Sequence, residues 1–238
     1  MAALLSVTGL KKAFGAVTIA NDISFDVEEG EVIGIIGPNG AGKTTLFGLL
    51  AGTIKLDAGR IQFRKQDVTG LPTFDRARLG IARTYQIPRP FTHMTVADNL
   101  KVAALFGGGL EEAECPEWID QILEFTGLAK ERGMLAGRLS LLGRKRHELA
   151  RALATRPSLL LIDEVAAGLT DAEVDEFISL IRSIKTAGIT VVWIEHVMKA
   201  MLAATDRLMA VAGGKIIASG APREVIQSKE VRRVYLGA

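Results

Sequence analysis

Residues that can hold a chain of phosphates lie together directly after the apolar run Val32–Ile36. The segment GPNGAGKTT fits the phosphate-loop pattern GxxxxGK[ST], whose glycines let successive N–H groups point at phosphate oxygens. Lys43 can reach the outer phosphates, and the Thr44 hydroxyl can ligate Mg2+. A chance glycine loop is the alternative, but a buried strand directly before it is typical of a triphosphate site. We predict that the nucleotide is bound by Gly37, Pro38, Asn39, Gly40, Ala41, Gly42, Lys43, Thr44 and Thr45.

Two further buried runs end in ionisable side chains. SLLLIDE carries Asp163 and Glu164 at its end, and ITVVWIE is followed by His196. Four apolar residues followed by Asp match the second acidic motif of phosphate-loop enzymes, in which Asp163 holds the Mg2+ shell and Glu164 can orient a water. Alone, the carboxylates could cap a loop and His196 could be structural, but all three follow strands, where open parallel sheets bind ligands. His93 and His147 lack this placement and are interpreted as surface or packing residues.

Composition limits the class of protein. The 238 residues, 48% of them hydrophobic, fit one α/β domain with a subdomain. A formal charge of +2 gives no case for a nucleic-acid partner, and the lone Cys115 can form neither an internal disulfide nor a Cys-rich zinc site. The apolar runs are far shorter than the ~20 residues of a membrane span, and the first residues lack the features of a signal peptide. We therefore expect a cytosolic chain whose membrane association comes from a partner.

Apolar periodicity predicts the elements that position these side chains. LLSVTGLKKAF and DISFDVEEGEV alternate as two antiparallel strands, with Phe14 in the turn between them. An aromatic there can lie against a nucleotide base, and an ordinary packing or surface role is equally open. Further along, the patterns predict helices at residues 45–51, 72–79 and 144–156, a strand at 60–63, a strand ending in Gln86, a helix ending at Gly188, a hairpin around Gly213-Gly214 and a last short helix opened by Pro222.

The stretch 87–135 differs in character from the rest of the chain. Two prolines interrupt it, and Thr95 then begins a helix through NLKVAALF. In the next helix, Trp118, Ile122 and Phe125 share one face, which favours packing over a ligand box. The fold predicted is α/β: a phosphate-loop core with a mainly parallel sheet, an antiparallel β-subdomain and an α-helical subdomain inserted at about 87–157, all within a single domain of residues 1–238.

The ordered set of motifs resembles the ATP-binding subunits of ABC transporters along nearly the whole chain. GPNGAGKTT, the glutamine at 86, LIDE, AGL at 167–169 and the histidine at 196 follow the order of that family. The resemblance implies that Phe14 stacks on adenine, that Gln86 joins Thr44 and Asp163 at the metal, and that the AGL segment is the dimer loop. It also implies three catalytic residues, which are Lys43, Glu164 and His196.

Within that family, ARTYQIPRPFTHMTVADNL, ATRPSLLLIDEVAAGL and the tail VRRVYLG look like the branched-chain amino acid uptake group, although lipopolysaccharide exporters have a similar tail. The resemblance implies ATP and Mg2+ as cofactors. It also implies a second ATP-binding subunit and integral membrane permease subunits as partners, and indirectly an extracytoplasmic solute-binding protein. The expected location is the cytoplasmic face of a bacterial membrane.

The signature loop, usually LSGGQ, is where this sequence departs from the family. Ser140 is in register, but Leu141 and Leu142 replace the two glycines and Gly143 replaces the glutamine; Val165 also stands where proline is usual. The resemblance implies that Ser140 contacts the ATP held by the other subunit of a head-to-tail dimer. Leucine can present a backbone amide unless the loop needs φ > 0 or very close phosphate approach. Either a different subunit supplies an intact signature to an asymmetric pair, or the leucines are a tolerated variant.

Two other classes of protein share parts of this pattern. A soluble ABC ATPase that acts on ribosomes or DNA usually has two cassettes or a long coiled coil, and 238 residues hold neither. A small phosphate-loop kinase has no reason to carry the ordered glutamine, LIDE, AAGL and histidine set. The sequence therefore favours a transporter motor subunit.

Overall fold

The computed structural model describes residues 3–236. The strands are β1 Ala3–Phe14, β2 Val17–Glu28, β3 Val32–Ile36, β4 Ala58–Phe63, β5 Gln66–Asp67, β6 Ile81–Arg83, β7 Leu159–Asp163, β8 Thr190–Ile194, β9 Arg207–Ala212 and β10 Lys215–Gly220. The helices are α1 Lys43–Ala51, α2 Thr73–Arg78, α3 Val96–Phe106, α4 Cys115–Thr126, α5 Leu141–Ala154, α6 Asp171–Thr186, α7 Met198–Ala204, α8 Pro222–Gln227 and α9 Lys229–Leu236, with 3-10 turns at Ala129–Glu131 and Ala136–Arg138.

The central sheet has the order β10-β9-β3-β8-β7-β6. Its neighbours from β9 to β6 are parallel, and only β10 is antiparallel. Every residue of β3, β7 and β8 is buried, which explains their continuous apolar runs, because helices and a second sheet cover both faces. This arrangement brings the ends of β3, β7 and β8 to one edge of the sheet, as the sequence predicts.

A second sheet, with the order β2-β1-β4-β5, is antiparallel throughout. Alternate residues of β2 turn inward, so that Ile23, Phe25 and Val27 are buried in one core cluster with α1 and one face of the central sheet. The predicted fold class, a phosphate-loop core with a parallel and an antiparallel sheet, is therefore confirmed.

The helices α3, α4 and α5 all lie between β6 and β7 in the chain and pack on one another. Of the predicted apolar stripe on α4, Ile122 is buried and Trp118 is half-buried, with its indole N–H donating to the Ala154 carbonyl at 3.0 Å. Phe125 is 38% exposed, so the stripe packs only in part. The Thr95 hydroxyl accepts the N–H of Asp98 and begins α3, as the sequence predicts.

Two predicted elements differ from the structure. The strand expected to end in Gln86 ends at Arg83, because beyond it the Asp163 N–H of β7 donates to the Thr84 hydroxyl at 3.1 Å instead of to a backbone carbonyl of the ladder. The helix opened by Pro222 is not the last one, because α9 follows it, beginning at Lys229. Along residues 3–236, no helix combines the length and apolar character that a membrane crossing requires.

Candidate functional site

The phosphate loop joins β3 to α1 and depends on glycine at two positions for different reasons. Gly42 has φ +92°, and a Cβ there would lie 2.7 Å from the Ile19 side chain. At Gly37, a Cβ would lie 2.3 Å from the Val211 carbonyl oxygen. A side chain at either position would displace the loop backbone, so the glycines are needed to bring it close to its neighbours.

Lys43 begins α1 and is 7% exposed. Its ammonium donates to the carbonyl oxygens of Gly37 at 2.7 Å and Pro38 at 3.1 Å. Burial lowers the pKa of Lys43, and the nearby charges of Glu164 and Asp163 oppose that change. The first turn of α1 has no acidic residue, so a cation and helix N–H groups meet where an anion can bind.

A cavity of about 790 Å3 lies over this loop. The residues that line it come from the phosphate loop and from four other segments, and they are Ile19, Gly37, Pro38, Asn39, Gly40, Ala41, Gly42, Lys43, Thr44, Thr45, Gln86, Glu164 and His196. The structure therefore brings the entire predicted loop together with Gln86, Glu164 and His196.

Glu164 is contacted by both of the other polar side chains opposite the loop. Gln86 Nε2 donates to Glu164 Oε2 at 2.6 Å, and His196 Nδ1 lies 4.0 Å from the same oxygen. Glu164 has φ +44°, an unusual conformation for a residue with a side chain. Its side chain is 16% exposed, so the carboxylate reaches the cavity and can accept a proton from a water there.

Asp163 ends β7 and is buried, and it is not among the residues that line the cavity. Burial raises its pKa, whereas Arg83 lowers it by donating from Nη2 to Oδ2 at 2.9 Å. The Asp163 N–H also donates to the Thr84 hydroxyl at 3.1 Å. Sequence reasoning missed Arg83; the signal that could have found it was a guanidinium in an otherwise apolar strand next to the acidic motif.

The oxygen donors predicted for Mg2+ suit a hard divalent cation, since they are a hydroxyl, an amide and a carboxylate from Thr44, Gln86 and Asp163. Within residues 3–236 there is no group of three His, Cys, Asp or Glu side chains that could hold a metal. These residues fit a cation that takes its other ligands from phosphate oxygens and water.

Phe14 and Ser140 are not brought to this cavity. Phe14 ends β1 and is 51% exposed, with the Lys12 ammonium 5.1 Å from its ring centroid, whereas Ile19 of β2 lines the cavity. Ser140 precedes α5 and caps it, accepting the Gly143 N–H at 3.1 Å. The contact of Phe14 with adenine and the contact of Ser140 with the nucleotide of the other subunit both stay predictions.

The two leucines of the signature loop form the first turn of α5. Both have helical backbone, so neither position requires the φ > 0 that only glycine adopts readily. Leu142 packs against the core, whereas Leu141 is 52% exposed and reaches toward Gly168, where a Cβ would lie 3.6 Å from its Cδ2. Val165 is buried at 2% exposure. The difference from a glycine-containing signature loop therefore lies in the exposed side chain of Leu141 and not in the backbone conformation.

A phosphate loop that leads into a helix, with an Asp-Glu pair ending a neighbouring parallel strand, defines a phosphate-loop nucleotide triphosphatase. The chain matches the ABC transporter family over residues 20–167. It belongs to that family and is an ABC transporter ATP-binding subunit, an ATPase.

Relatives agree with this assignment along the whole length of the chain. The chain is 37% identical to the high-affinity branched-chain amino acid transport ATP-binding protein LivG of Salmonella typhimurium, with 98% of each chain covered. It is also 37% identical to the lipopolysaccharide export system ATP-binding protein LptB of Acidithiobacillus ferridurans, which covers 100% of this chain and 98% of that one. The crystal structure of the ADP conformation of MJ1267, an ATP-binding cassette of an ABC transporter, superposes with a TM-score of 0.89 at 31% identity and full coverage of both chains.

Proposed function

We propose that this subunit hydrolyses ATP to drive the import of branched-chain amino acids or related small solutes. The observation that supports ATP hydrolysis is that one cavity is lined both by the phosphate loop and by Glu164, Gln86 and His196. The similarity to LivG supports the choice of solute.

In this proposal each catalytic residue has a defined task. Lys43 neutralises the outer phosphates, and Glu164 polarises the attacking water. His196, whose side chain is 53% exposed on the cavity wall, contacts the γ-phosphate. Gln86 holds the carboxylate of Glu164 in place through its 2.6 Å hydrogen bond. Thr44, Asp163 and Gln86 would hold Mg2+, which would supply charge neutralisation at the phosphates when bound.

The membrane permease subunits are expected to dock near the segment after β6. A groove of about 190 Å3 lies there between α2, β6 and α5, with Tyr85 and Arg151 among its lining residues. Close along the chain, Ile87 is 71% exposed and Phe91 is 49% exposed, which gives this region the apolar side chains that a partner helix can cover. Such docking places the chain on the cytoplasmic face of the membrane, with the solute-binding protein on the other side.

The proposed ATPase assembly is a head-to-tail pair of ATP-binding subunits, in which Ser140 of each contacts the nucleotide of the other. This chain brings its phosphate loop together with Glu164 and His196, but exposed Leu141 occupies the signature surface. We therefore propose that the second subunit is a different chain with a glycine signature. A homodimer that tolerates the leucines is the alternative.

Lipopolysaccharide export is the second candidate function, because LptB is as similar to the chain as LivG. The test is to tag the chain, purify it from native membranes in mild detergent, and identify the proteins that accompany it. Co-purification of permeases and an amino acid-binding protein would support import. Co-purification of lipopolysaccharide proteins of the outer envelope would favour export.

Reconstitution provides the functional control. The purified complex in vesicles should accumulate labelled leucine, isoleucine or valine only with ATP, and a complex that contains Lys43→Ala should not. ATP hydrolysis without uptake of any of these amino acids would support the ATPase activity and contradict the proposed solute.

A further inference from the structure

Glu195 carries a fully buried carboxylate at the end of β8, and none of the roles described above uses it. Its Oε1 accepts the N–H of Ala166 at 2.7 Å, and its Oε2 accepts the N–H of His196 at 3.0 Å. One side chain thus joins the main chain of two loops, the loop that follows β7 and the loop that follows β8.

Both loops carry residues of the cavity. Ala166 comes two residues after Glu164 and leads into the predicted dimer loop, whereas His196 lines the cavity itself. The N–H of Val197 lies 3.5 Å from Oε2, so all the hydrogen-bond donors found for Glu195 within residues 3–236 are backbone groups. The carboxylate therefore fixes the path of the main chain on either side of the site.

This carboxylate lies in an environment that is costly for a charge unless its oxygens are paired. Desolvation raises the pKa of Glu195, and the backbone N–H groups of Ala166 and His196 oppose that change. Lys145 on α5 is also buried, and the charge of Glu195 opposes the lowering of its pKa by burial. The backbone donors favour the ionised form, which accepts at both oxygens.

We infer that Glu195 is a positioning residue for ATP hydrolysis, which holds the backbone of His196 and of Ala166 in a fixed relation to Glu164. It acts through these two loops, since Glu195 is not among the residues that line the cavity. The inference rests on the proposed roles of Glu164 and His196.

The first test is Glu195→Gln, measured in the assembly that hydrolyses ATP. Glutamine keeps the volume but offers one acceptor and one donor group where two acceptors are needed, so either Ala166 or His196 loses its partner. We expect kcat to fall about tenfold or more, because small displacements of catalytic groups have effects of this size. The Kd for ATP should change less than about twofold, since the phosphate loop is not touched. Hydrogen exchange should accelerate at the Ala166 or His196 amide.

Glu31→Gln is the matched control. Glu31 also accepts a backbone N–H, that of Glu28 at 2.9 Å, and pairs with Arg207, but it lies before β3, at the opposite end of that strand from the phosphate loop. Its substitution should lower the melting temperature and leave kcat unchanged. If Glu195→Gln does not fold, Glu195→Asp provides the second variant. It keeps the charge but is one methylene too short to reach both amides, and the same loss of kcat at constant ATP affinity is expected.

The possible results separate the inference from the proposed function. An unchanged kcat in Glu195→Gln, with Glu164→Gln inactive, would overturn the inference and leave the function standing. A loss of ATP affinity that parallels the loss of stability would also overturn it, because the role would then be structural. If Glu164→Gln and Glu195→Gln both turn over at the parent rate, the inference and the proposed roles of Glu164 and His196 are wrong together.

Discussion

Arg83 and Asp163 form a buried ion pair between two neighbouring parallel strands, with Arg83 Nη2 2.9 Å from Asp163 Oδ2 and side-chain exposures of 11% and 3%. The guanidinium carbon also lies 5.2 Å from the centroid of the Tyr85 ring and 5.7 Å from that of Phe47. Asp163, which is expected to help hold Mg2+, is thus stabilised in its charged form by Arg83 of β6, and the chain continues from this strand to Gln86.

Removal of Arg83 should destabilise the fold. In Arg83→Met the carboxylate of Asp163 is left buried without its partner, so we expect the free energy of unfolding to fall by on the order of 3 kcal/mol. Denaturation in urea measures it, and adding Asp163→Asn should recover much of the loss. As a control, Arg60→Met breaks an exposed pair with Asp67 and should cost less than about 1 kcal/mol. Equal effects of the two arginine variants would contradict the importance of burial.

Lys43→Ala should weaken ATP binding severely and leave the fold intact. Loss of one charge-assisted contact with phosphate is expected to cost on the order of 2 to 4 kcal/mol of binding free energy. Calorimetry with ATP measures the affinity, and circular dichroism checks that the variant folds. An unchanged affinity for ATP would contradict the proposed contact of Lys43 with the phosphates.

Glu164→Gln should abolish hydrolysis and preserve ATP binding. The glutamine carbonyl can still accept from Gln86 Nε2, whereas the group that polarises water is lost, so a decrease in kcat of about 100-fold or more is expected. ATP should then accumulate in a closed dimer, visible by size-exclusion chromatography. Turnover at the parent rate would assign the role to another group.

Leu141→Ala combined with Leu142→Ala separates the two explanations of the signature loop. Since both positions are helical, alanine shortens each side chain and keeps the helical backbone, whereas a second variant, Leu141→Gly with Leu142→Gly, adds a cost of up to about 1 kcal/mol per residue. If the leucines obstruct a partner nucleotide, the feeble ATPase of the isolated chain should rise with either pair. Robust ATPase in the parent chain that scales with self-association, and no gain in the variants, would support a working homodimer.

The stability of the chain should depend on His147 below neutral pH. Burial, and secondarily the charge of Arg151, lowers the pKa of His147 to about 4, from 6.5 in an unperturbed histidine. The unfolded chain therefore takes up the proton more readily, so this contribution is complete above pH ~6.5 and is lost as the pH falls toward ~4. Between about pH 7.5 and 5 the parent should lose on the order of 2 kcal/mol more than His147→Leu does. The control His93→Leu removes an exposed histidine and should follow the parent.

The sequence predicts the parts of the site that depend on local pattern. The phosphate loop, Asp163, Glu164 and His196 follow buried strands, and apolar runs identify those strands without knowledge of the partners. Contacts between distant residues were missed, because the sequence does not give the register of strands. The Thr84 hydroxyl accepts the N–H of Asp163, 79 residues further along the chain, and the Glu195 carboxylate accepts the N–H of Ala166 from another loop. Ile19 of β2, and not Phe14 of β1, lines the cavity, and the sequence does not show which of two neighbouring strands lies beside the loop.

The helices between β6 and β7 leave the central sheet at one end and return at the other. The chain exits after Arg83 at the carboxyl end of β6 and re-enters at Leu159, the amino end of the adjacent parallel strand. Arg83 belongs to the edge strand β6 and Leu159 to its inner neighbour β7, and α3, α4 and α5 also share one hydrophobic core with the central sheet. Gln86 lies three residues after Arg83, in the segment that leads to these helices, and its side chain is joined to Glu164 by the 2.6 Å hydrogen bond. A partner that displaces the helices would therefore be expected to change the position of Gln86 relative to the Glu164 carboxylate.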